Sequence, residues 1–377
     1  MAGVTGRGGE FVDPSRPASA GGTLDAEAFD GEEAAATGLG RTDGRSNALT
    51  VILPLKWWGR WVLPLWYFAI GLRPERSFRG LHELRFVSAI RWSILPPFDP
   101  GPRWIVRRDG RRHLALVPPA GRRHQLLFES NFDGDWDEYL DTFAAKLSLP
   151  LTTMVAAGLG YPGLSTPALF KAYARAHDHI PEAYGSAYPG LTSSDIRDEL
   201  AATAAVPDER ARAHGLGRRA PHWTTLLLPL RPGHSGHAAT RARRLRADPT
   251  PGAPDPLVGA TGIHFARVVV LAHPGRRHLL ITLTHDHDAR TTLLELLGTD
   301  AHRADGGWHD LLACVDGVPS APGWWDDDTL VDALLAHRPT PPRRQVAYCG
   351  YAGTTVAMIR AFEGARFERW PDHGEHG

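Results

Sequence analysis

The chain is poor in cysteine and carries no net charge. Its 377 residues include 2 cysteines, Cys314 and Cys349, which form neither a disulfide framework nor a CxxC metal pair. Such usage is typical of a reducing cytoplasm, where we expect the protein to reside. The 42 basic residues balance the 42 acidic ones. No overall field therefore favours nucleic acid, and we expect no nucleic-acid partner.

The sequence also lacks an apolar run that could cross a bilayer. The unbroken apolar stretch from Trp61 to Leu72 has about a dozen residues, whereas a spanning helix needs about 20. The amino-terminal region has neither the basic start nor the apolar core of a signal peptide. A Walker loop, a serine nucleophile elbow and a zinc HExxH motif are absent from the sequence as well. Nucleotide hydrolysis, serine hydrolysis and zinc proteolysis therefore have no support.

Composition divides the chain into two large parts. Residues 1–47 contain Gly, Ala, Ser, Glu and Asp with hardly any large apolar residue. They cannot bury enough surface to offset chain entropy, so they are predicted to be a disordered tail. Residues 208–221 are polar and rich in Arg and Gly, which suits a linker. The predicted folded parts are therefore residues 48–207 and 222–371.

One stretch, from Ile263 to Thr299, sets the pattern of the second half. It reads as two apolar strands joined by a Pro-Gly turn and followed by an amphipathic helix. A diverged copy lies at about Leu84 to Leu147, with an additional hairpin at Asp109-Gly110. Each half reads strand, helix, strand, strand, helix, strand, helix. Aligned by eye, the halves pair Thr50 with Thr225, Phe86 with Phe265, Phe128 with Ile281, Asp133 with Asp286, Tyr188 with Tyr351 and Arg197 with Arg360.

This order of elements is that of the split βαβ, or ferredoxin-like, unit. One such unit leaves a sheet face bare, and a second copy in the same chain would cover it. Over residues 48–371 the order and the repeat resemble the duplicated dimeric α/β-barrel superfamily, which includes dye-decolourising peroxidases, chlorite dismutases and small monooxygenases. The resemblance implies an α+β fold in which two tandem ferredoxin-like βαββαβ repeats pack as a pseudo-dimeric α/β barrel.

The Trp-rich segment from Trp57 to Leu72 allows two interpretations. It can be a helix buried against a sheet or against a second copy of the chain. It can also be an interfacial helix that places Trp and Phe in a membrane surface, with Lys56 and Arg60 facing the headgroups. A membrane surface and self-association through this segment are therefore both candidate partners.

The sharpest polar cluster is Thr284 to Asp288, with the sequence THDHD. If the strand extends through His287, His285 and His287 share one face and could bind a metal. The alternative is a strand end followed by a helix cap, because Asp288 stands where an N-cap belongs. Asp286 aligns with Asp133 of the first half, so a role that both copies share would be structural.

The resemblance further implies a haem peroxidase site in the second half. Such a site needs one imidazole that reaches iron and an Arg or Asp opposite it for peroxide cleavage. His264, which aligns with Arg85, Arg267 and Asp286 are the predicted catalytic residues. His278 and His285 are the predicted cofactor-binding residues.

Two functions are predicted on this basis. The first is a cytoplasmic oxidoreductase of the peroxidase or monooxygenase type, haem-dependent or cofactorless, that acts on a small apolar molecule. The alternative is a non-catalytic ligand-binding or scaffold protein, attached peripherally to a membrane through the Trp-rich helix. The first follows from fold resemblance alone, which does not specify chemistry.

Overall fold

The computed structural model describes most of both predicted halves. The described residues are 23–24, 42–43, 46–72, 83–98, 103–108, 112–117, 123–146, 149–203, 221–245, 255–259, 262–273, 276–300, 307–318, 326–339, 345–351 and 354–360. The predicted tail, the linker and the tip of the Asp109-Gly110 hairpin lie wholly or largely outside them. Strand structure is present at residues 23–24, 42–43 and 46–47, so these short parts of the predicted disordered tail are paired in sheets.

The chain alternates strands and helices in the predicted order. The strands are β1 (Thr23–Leu24), β2 (Thr42–Asp43), β3 (Ser46–Pro54), β4 (Val87–Phe98), β5 (Arg103–Arg108), β6 (Arg112–Val117), β7 (Arg123–Asp133), β8 (Ala183–Ser186), β9 (His222–Pro229), β10 (Ile263–His273), β11 (Arg276–His285) and β12 (Gln345–Cys349). The helices are α1 (Gly59–Leu72), α2 (Trp136–Lys146), α3 (Leu149–Ala156), α4 (Pro167–Ala176), α5 (Ser193–Thr203), α6 (Ser235–Arg244), α7 (Ala289–Asp300), α8 (Gly307–Leu312) and α9 (Asp327–Ala336). Residues 356–360 are also helical.

The described strands form antiparallel sheets. One sheet has the order β12-β4-β7-β3-β2, a second has the order β8-β10-β11-β9, and β1-β6-β5 is a smaller third sheet. All of their strand pairs are antiparallel. The α+β class is therefore confirmed. The hydrogen bonds between these named strands leave the two large sheets open and do not close a barrel.

Each large sheet takes one edge strand from the other half of the chain. β8 belongs to the first half but pairs with β10, where Ser186 lies opposite Phe265. β12 belongs to the second half but pairs with β4, where Cys349 lies opposite Ala89. The two halves consequently share their sheets, and neither sheet is built from one half alone.

The segments that lead into these exchanged strands also contact their own half. Before β8, the backbone oxygen of His177 accepts from Ile52 of β3 at 3.1 Å, and His179 N donates to Thr50 O at 2.7 Å. Before β12, the backbone oxygen of His337 accepts from Leu227 of β9 at 3.3 Å. Each segment therefore lies along the first strand of its own half before it crosses to the other sheet.

Aspartates begin the helices that follow the central strands. Asp288 Oδ1 accepts from the backbone N of Arg290 at 2.9 Å and of Thr291 at 3.1 Å. Asp135 accepts in the same way from Asp137 and Glu138 at 2.8 and 3.1 Å. These bonds satisfy amide groups that the first helical turn cannot pair. The N-cap predicted at Asp288 is confirmed.

The two large sheets pack face to face over a mixed apolar and polar layer. Their outer faces pack against the helices. The apolar part of the inner layer takes side chains from both sheets, all of them buried: Ile52, Leu95, Phe98, Leu127, Leu227, Val269, Leu271 and Leu280. Face-to-face burial of this kind removes apolar surface from water on both sheets at once.

The polar part of the inner layer is centred on the buried guanidinium of Arg267. Its Nη1 donates to Leu49 O at 2.7 Å and to Thr50 Oγ1 at 3.0 Å. Its Nη2 donates to Ser130 O at 2.9 Å and to Asn131 Oδ1 at 2.5 Å. Because Arg267 belongs to β10 and its four acceptors to β3 and β7, this one side chain ties the second sheet to the first.

Glu129 supplies the negative charge of this layer. Its Oε2 accepts from Arg91 Nε at 2.7 Å, and Arg91 Nη2 donates to the same oxygen. Its Oε1 accepts from Thr282 Oγ1 at 2.6 Å and lies 3.7 Å from Arg267 Nη1. Burial alone would raise the pKa of Glu129, but the charges of Arg91 and Arg267 and these hydrogen bonds hold it below its ordinary value. Glu129 is therefore ionised inside the protein.

Replacing Arg267 by leucine should strongly destabilise the fold. The change leaves four buried acceptors without their donor and removes one of the two cations that offset Glu129. Loss of one partner from a buried ion pair costs about 3–5 kcal/mol, which a urea unfolding curve would measure. Arg290→Leu is the control, because Arg290 makes its ion pairs with Asp328 and Asp332 at the surface. Equal losses in the two variants would contradict the role given to Arg267.

Candidate functional site

His264 lies at an irregular point of β10. The pairing of β10 with β11 shifts register at this residue, and the pairing of β4 with β7 shifts at Ser88. The two strands therefore carry their bulges at equivalent places. A bulge re-aims the side chain that it carries.

A chain of hydrogen bonds passes through the His264 ring. Nδ1 lies 3.0 Å from the Tyr188 hydroxyl, and Nε2 lies 2.8 Å from Asp286 Oδ1. Tyr188 donates its hydroxyl proton to Tyr351 at 2.8 Å. The His and both Tyr side chains are buried, while Asp286 keeps some exposure. The four groups thus connect the edge of the protein to its interior.

Asp286 has a structural bond in addition to its bond with His264. Its Oδ2 accepts from Val356 N at 2.9 Å, at the start of the helical run 356–360. Asp133 Oδ2 likewise accepts from Ser193 N, at the start of α5, at 2.6 Å. The structural role expected of both aspartates is therefore confirmed. The bond to a histidine is what distinguishes Asp286.

Burial and neighbouring groups determine the protonation of the side chains in this hydrogen-bonded series. Burial raises the pKa of Tyr188 well above its ordinary value, so its hydroxyl stays neutral. Burial alone would raise the pKa of Asp286, but its bonds to His264 and Val356 bring it below the ordinary value. Since a carboxylate only accepts, Nε2 of His264 donates to Asp286. Since the Tyr188 hydroxyl gives its one proton to Tyr351, it accepts from His264 Nδ1. The arrangement can hold or pass a proton between Asp286 and the Tyr188 hydroxyl.

His285 lies nearby, but its ring is occupied by hydrogen bonds. Nδ1 is 2.7 Å from the backbone oxygen of His287 and 3.0 Å from Thr292 Oγ1. Nε2 is 2.9 Å from Thr224 Oγ1. A metal or haem iron would have to replace one of these bonds. Burial is the main cause that lowers the pKa of His285 to about 3, so the ring is neutral.

His285 and His287 do not lie together on one strand face. β11 ends at His285, so the alternation that would align His287 with it stops there. His287 is exposed beyond the strand end. Within the part of the chain that the structure describes, no group of three or more His, Cys, Asp or Glu residues is placed to hold a metal ion. The geometry matches the alternative interpretation of the sequence, in which a strand ends and a helix cap follows.

The other predicted site residues are spread over the fold. His278 is near the opposite end of β11 from His285, and seven residue steps of strand separate their backbones by about 23 Å. His278 instead lies against Phe98, with ring centroids 5.6 Å apart. The guanidinium of Arg267 bonds β3 and β7 between the sheets. Of the side chains predicted to form the site, the structure thus joins only those of His264 and Asp286 by a direct hydrogen bond.

Sequence reasoning missed the two partners of His264 among the tyrosines. Tyr188 and Tyr351 were noted as equivalent residues, with the flanking sequences AYPG and GYAG as the signal. Their repetition suggests a packing or hydrogen-bonding role, but nothing in one sequence indicates that equivalent residues of two halves meet each other. They meet because β8 and β12 end beside one another after the halves exchange strands.

The second candidate site is the exposed outer face of α1. Its large apolar side chains recur every three or four residues and are exposed by 63–76% of their area: Trp57, Trp61, Leu65, Phe68 and Leu72. The opposite side of the helix buries Leu63, Tyr67 and Ile70. The segment is therefore apolar all round, with one side packed on the protein and the other facing outward.

The charges beside this outer face are positive. No acidic residue occurs from Lys56 to Leu72. Arg60 is exposed, and its guanidinium lies 4.7 Å from the ring centroid of Trp61. Within the described residues, no helix has the length and apolar character needed to cross a bilayer.

Comparison with known proteins gives no family for this chain. No protein-family model matches it, and no curated protein matches its sequence. The two candidate sites therefore rest on their own geometry.

The protein should lose stability as the pH falls from about 6.5. Burial lowers the pKa of His285 from 6.5 to about 3, so between these values the unfolded chain binds a proton that the folded chain does not. The free energy of unfolding then decreases on acidification, by up to about 1.4 kcal/mol per pH unit for one proton. Denaturant unfolding between about pH 7 and pH 5 should show a smaller slope for His285→Gln.

The dependence of the unfolding free energy on pH should be reduced in His285→Gln and not abolished, because burial also lowers the pKa of His177 to about 4. His237→Gln, at an exposed position, is the matched control. An unchanged slope in His285→Gln would show that this ring is protonated in the folded protein.

Proposed function

We propose that the protein docks on a lipid surface through the outer face of α1. The observation that carries the proposal is a row of five exposed large apolar side chains, four of them on this helix and the fifth, Trp57, just before it. Surface helices of globular proteins normally present polar residues to water. An apolar row of this size marks a surface that a partner or a membrane covers.

Burial of this row would supply enough free energy for attachment. A large apolar side chain contributes about 1.5–3 kcal/mol when it moves fully out of water. Several together exceed what reversible binding to a bilayer requires, without any spanning helix. The buried side of α1 meanwhile holds the helix to the protein, so the apolar row is already oriented before docking.

The chemistry of the row favours lipid over a second copy of the chain. Trp and Phe side chains suit the boundary between headgroups and acyl chains. Arg60, exposed beside Trp61, would face anionic headgroups such as those of a cytoplasmic leaflet. No carboxylate in this segment opposes that attraction.

We also infer that the two halves are tandem ferredoxin-like copies packed as a pseudo-dimeric α/β barrel. The same strand order in both sheets, the equivalent bulges at Ser88 and His264, and the reciprocal exchange of β8 and β12 support this inference. The segments at His177 and His337, which lie along the first strands, would complete the barrel wall. In the second copy, α6 takes the place of α1 but is polar, so docking would belong to the first copy.

A second candidate function is a cofactor-independent oxidoreductase that acts on a small apolar molecule. One observation favours it, namely the hydrogen-bonded chain of Asp286, His264 and Tyr188. Such a chain could move a proton to or from a substrate at its exposed Asp286 end. In this proposal His264 is the proton carrier, and Asp286 orients it.

The histidines predicted to bind haem do not fit that role. Both ring nitrogens of His264 and of His285 lie within hydrogen-bond distance of protein groups. His278 lies far along β11 from the proposed proton chain. We therefore route no step through haem.

Vesicle binding tests the docking proposal. Trp61→Ser combined with Phe68→Ser should weaken co-sedimentation with vesicles of phosphatidylcholine and phosphatidylglycerol by at least about tenfold, because two apolar contacts are lost. Met358→Ser is the matched control, since Met358 is an exposed apolar residue away from α1. Trp66 is half-buried, so changing it would test packing instead.

Unchanged vesicle binding in the double variant would overturn the proposal. A dimer that forms without lipid and dissociates in the double variant, as measured by analytical ultracentrifugation, would replace the lipid by a second copy of the chain.

Oxidation assays test the second candidate. Peroxide-dependent or oxygen-dependent conversion of small apolar substrates by the purified protein should be lost in His264→Gln and retained in His278→Gln. No conversion by the unmodified chain would remove this candidate. Added haem should give no Soret band that His264→Ala or His285→Ala abolishes, and such a band would restore the haem prediction.

A further inference from the structure

The hairpin of β5 and β6 is strongly basic, although the chain as a whole is neutral. Residues 101–128 hold seven arginines and one acidic residue, Asp109. The second half has no such hairpin, because β10 and β11 follow one another directly, with His273 opposite Arg276. Such a local concentration of positive charge attracts an anionic partner.

The register of the hairpin sets like charges opposite each other. Arg108 of β5 lies opposite Arg112 of β6, and Arg107 lies opposite His113. Like charges in directly opposite positions destabilise an antiparallel pair. An anion supplied from outside the chain would offset this repulsion, so the hairpin gains from a partner that carries negative charge.

The base of the hairpin adjoins the amino end of α1. The backbone N of Leu55, which follows β3, donates to His124 O of β7 at 2.8 Å. At the same end of the sheet, Phe98 of β4 lies opposite Arg123 of β7. The hairpin and the segment that leads into α1 therefore leave the first sheet at one end. Trp57, the first residue of the exposed apolar row, follows Leu55 by two positions.

The hairpin also lies on the side of the first sheet that carries α1. α1 packs beside α3, and β5 and β6 lie against α4. The buried side chains of α1, α3 and α4 belong to one apolar cluster on the outer side of this sheet. A membrane that covers the apolar row would therefore meet the hairpin beside it.

We propose that the β5–β6 hairpin binds the phosphate groups of anionic lipids when α1 docks. The inference rests on the docking proposed above and names its partner, a bilayer rich in anionic headgroups. Insertion of apolar side chains does not require charged lipid, whereas each cation close to an anionic surface strengthens binding by about fivefold. The guanidinium group also matches the geometry of phosphate oxygens. The apolar row would thus supply attachment, and the hairpin would supply selectivity.

Vesicle composition tests the proposal. The unmodified chain should bind vesicles that contain phosphatidylglycerol more tightly than vesicles of phosphatidylcholine alone, and high salt should remove the difference. Arg108→Gln combined with Arg112→Gln should reduce this preference by about 25-fold, because two cations are lost. Binding to phosphatidylcholine alone should stay the same. The fold should be retained, since the change removes a like-charge pair.

The matched control is Arg244→Gln combined with Arg338→Gln, which removes the same charge at exposed positions of the second half. It should leave the preference unchanged. A preference that survives in the hairpin variant, or that falls equally in the control, would overturn the proposal and leave docking through α1 intact.

Two further outcomes would also overturn the proposal. If the unmodified chain binds neither kind of vesicle, docking through α1 fails together with the role of the hairpin. If duplex DNA binds the unmodified chain more tightly than anionic vesicles do, and the hairpin variant loses that binding, the hairpin belongs to a nucleic-acid partner instead.

Discussion

The buried guanidinium of Arg267 is the interaction on which the arrangement of this protein depends. It reaches from β10 to four acceptors on β3 and β7, so the two large sheets are fixed at one relative position. Apolar packing alone does not specify such a position, because it has no direction. Hydrogen bonds have a direction, so in a buried layer they can fix the relative position of the two sheets, provided that the buried charge of the guanidinium is offset. Glu129 supplies that offset, shared with Arg91.

The exchange of end strands also fixes the two large sheets relative to each other, through backbone hydrogen bonds. β8 and β12 each leave their own half and complete the sheet of the other, so separating the halves would break both sheets. This exchange also brings Tyr188 beside Tyr351 and places His264 against them. A hydrogen-bonded chain of side chains at the junction is thus a consequence of the architecture, with the partly exposed Asp286 at one end. The outer face of α1 lies outside this network, free to serve a separate purpose.

Sequence patterns were most successful where the signal is local. The N-cap at Asp288 and the paired strands that precede it follow from capping chemistry and periodicity. Patterns left two interpretations open where the signal depends on where a strand ends. The sequence allowed His285 and His287 either to share a strand face or to form a strand end followed by a helix cap, because the end of β11 could not be placed.

The sequence by itself determined the α+β class, the order of elements, the short apolar helix with its Trp residues and the balance of charge, because each depends on neighbours within a few positions. Only the tertiary structure decided which side of α1 stays outside, that Arg267 bonds across the sheets instead of toward His264, and that Tyr188 completes the chain to Asp286. Those facts depend on contacts between residues up to 218 positions apart, and strand pairing after a crossover is set by how whole sheets cover one another.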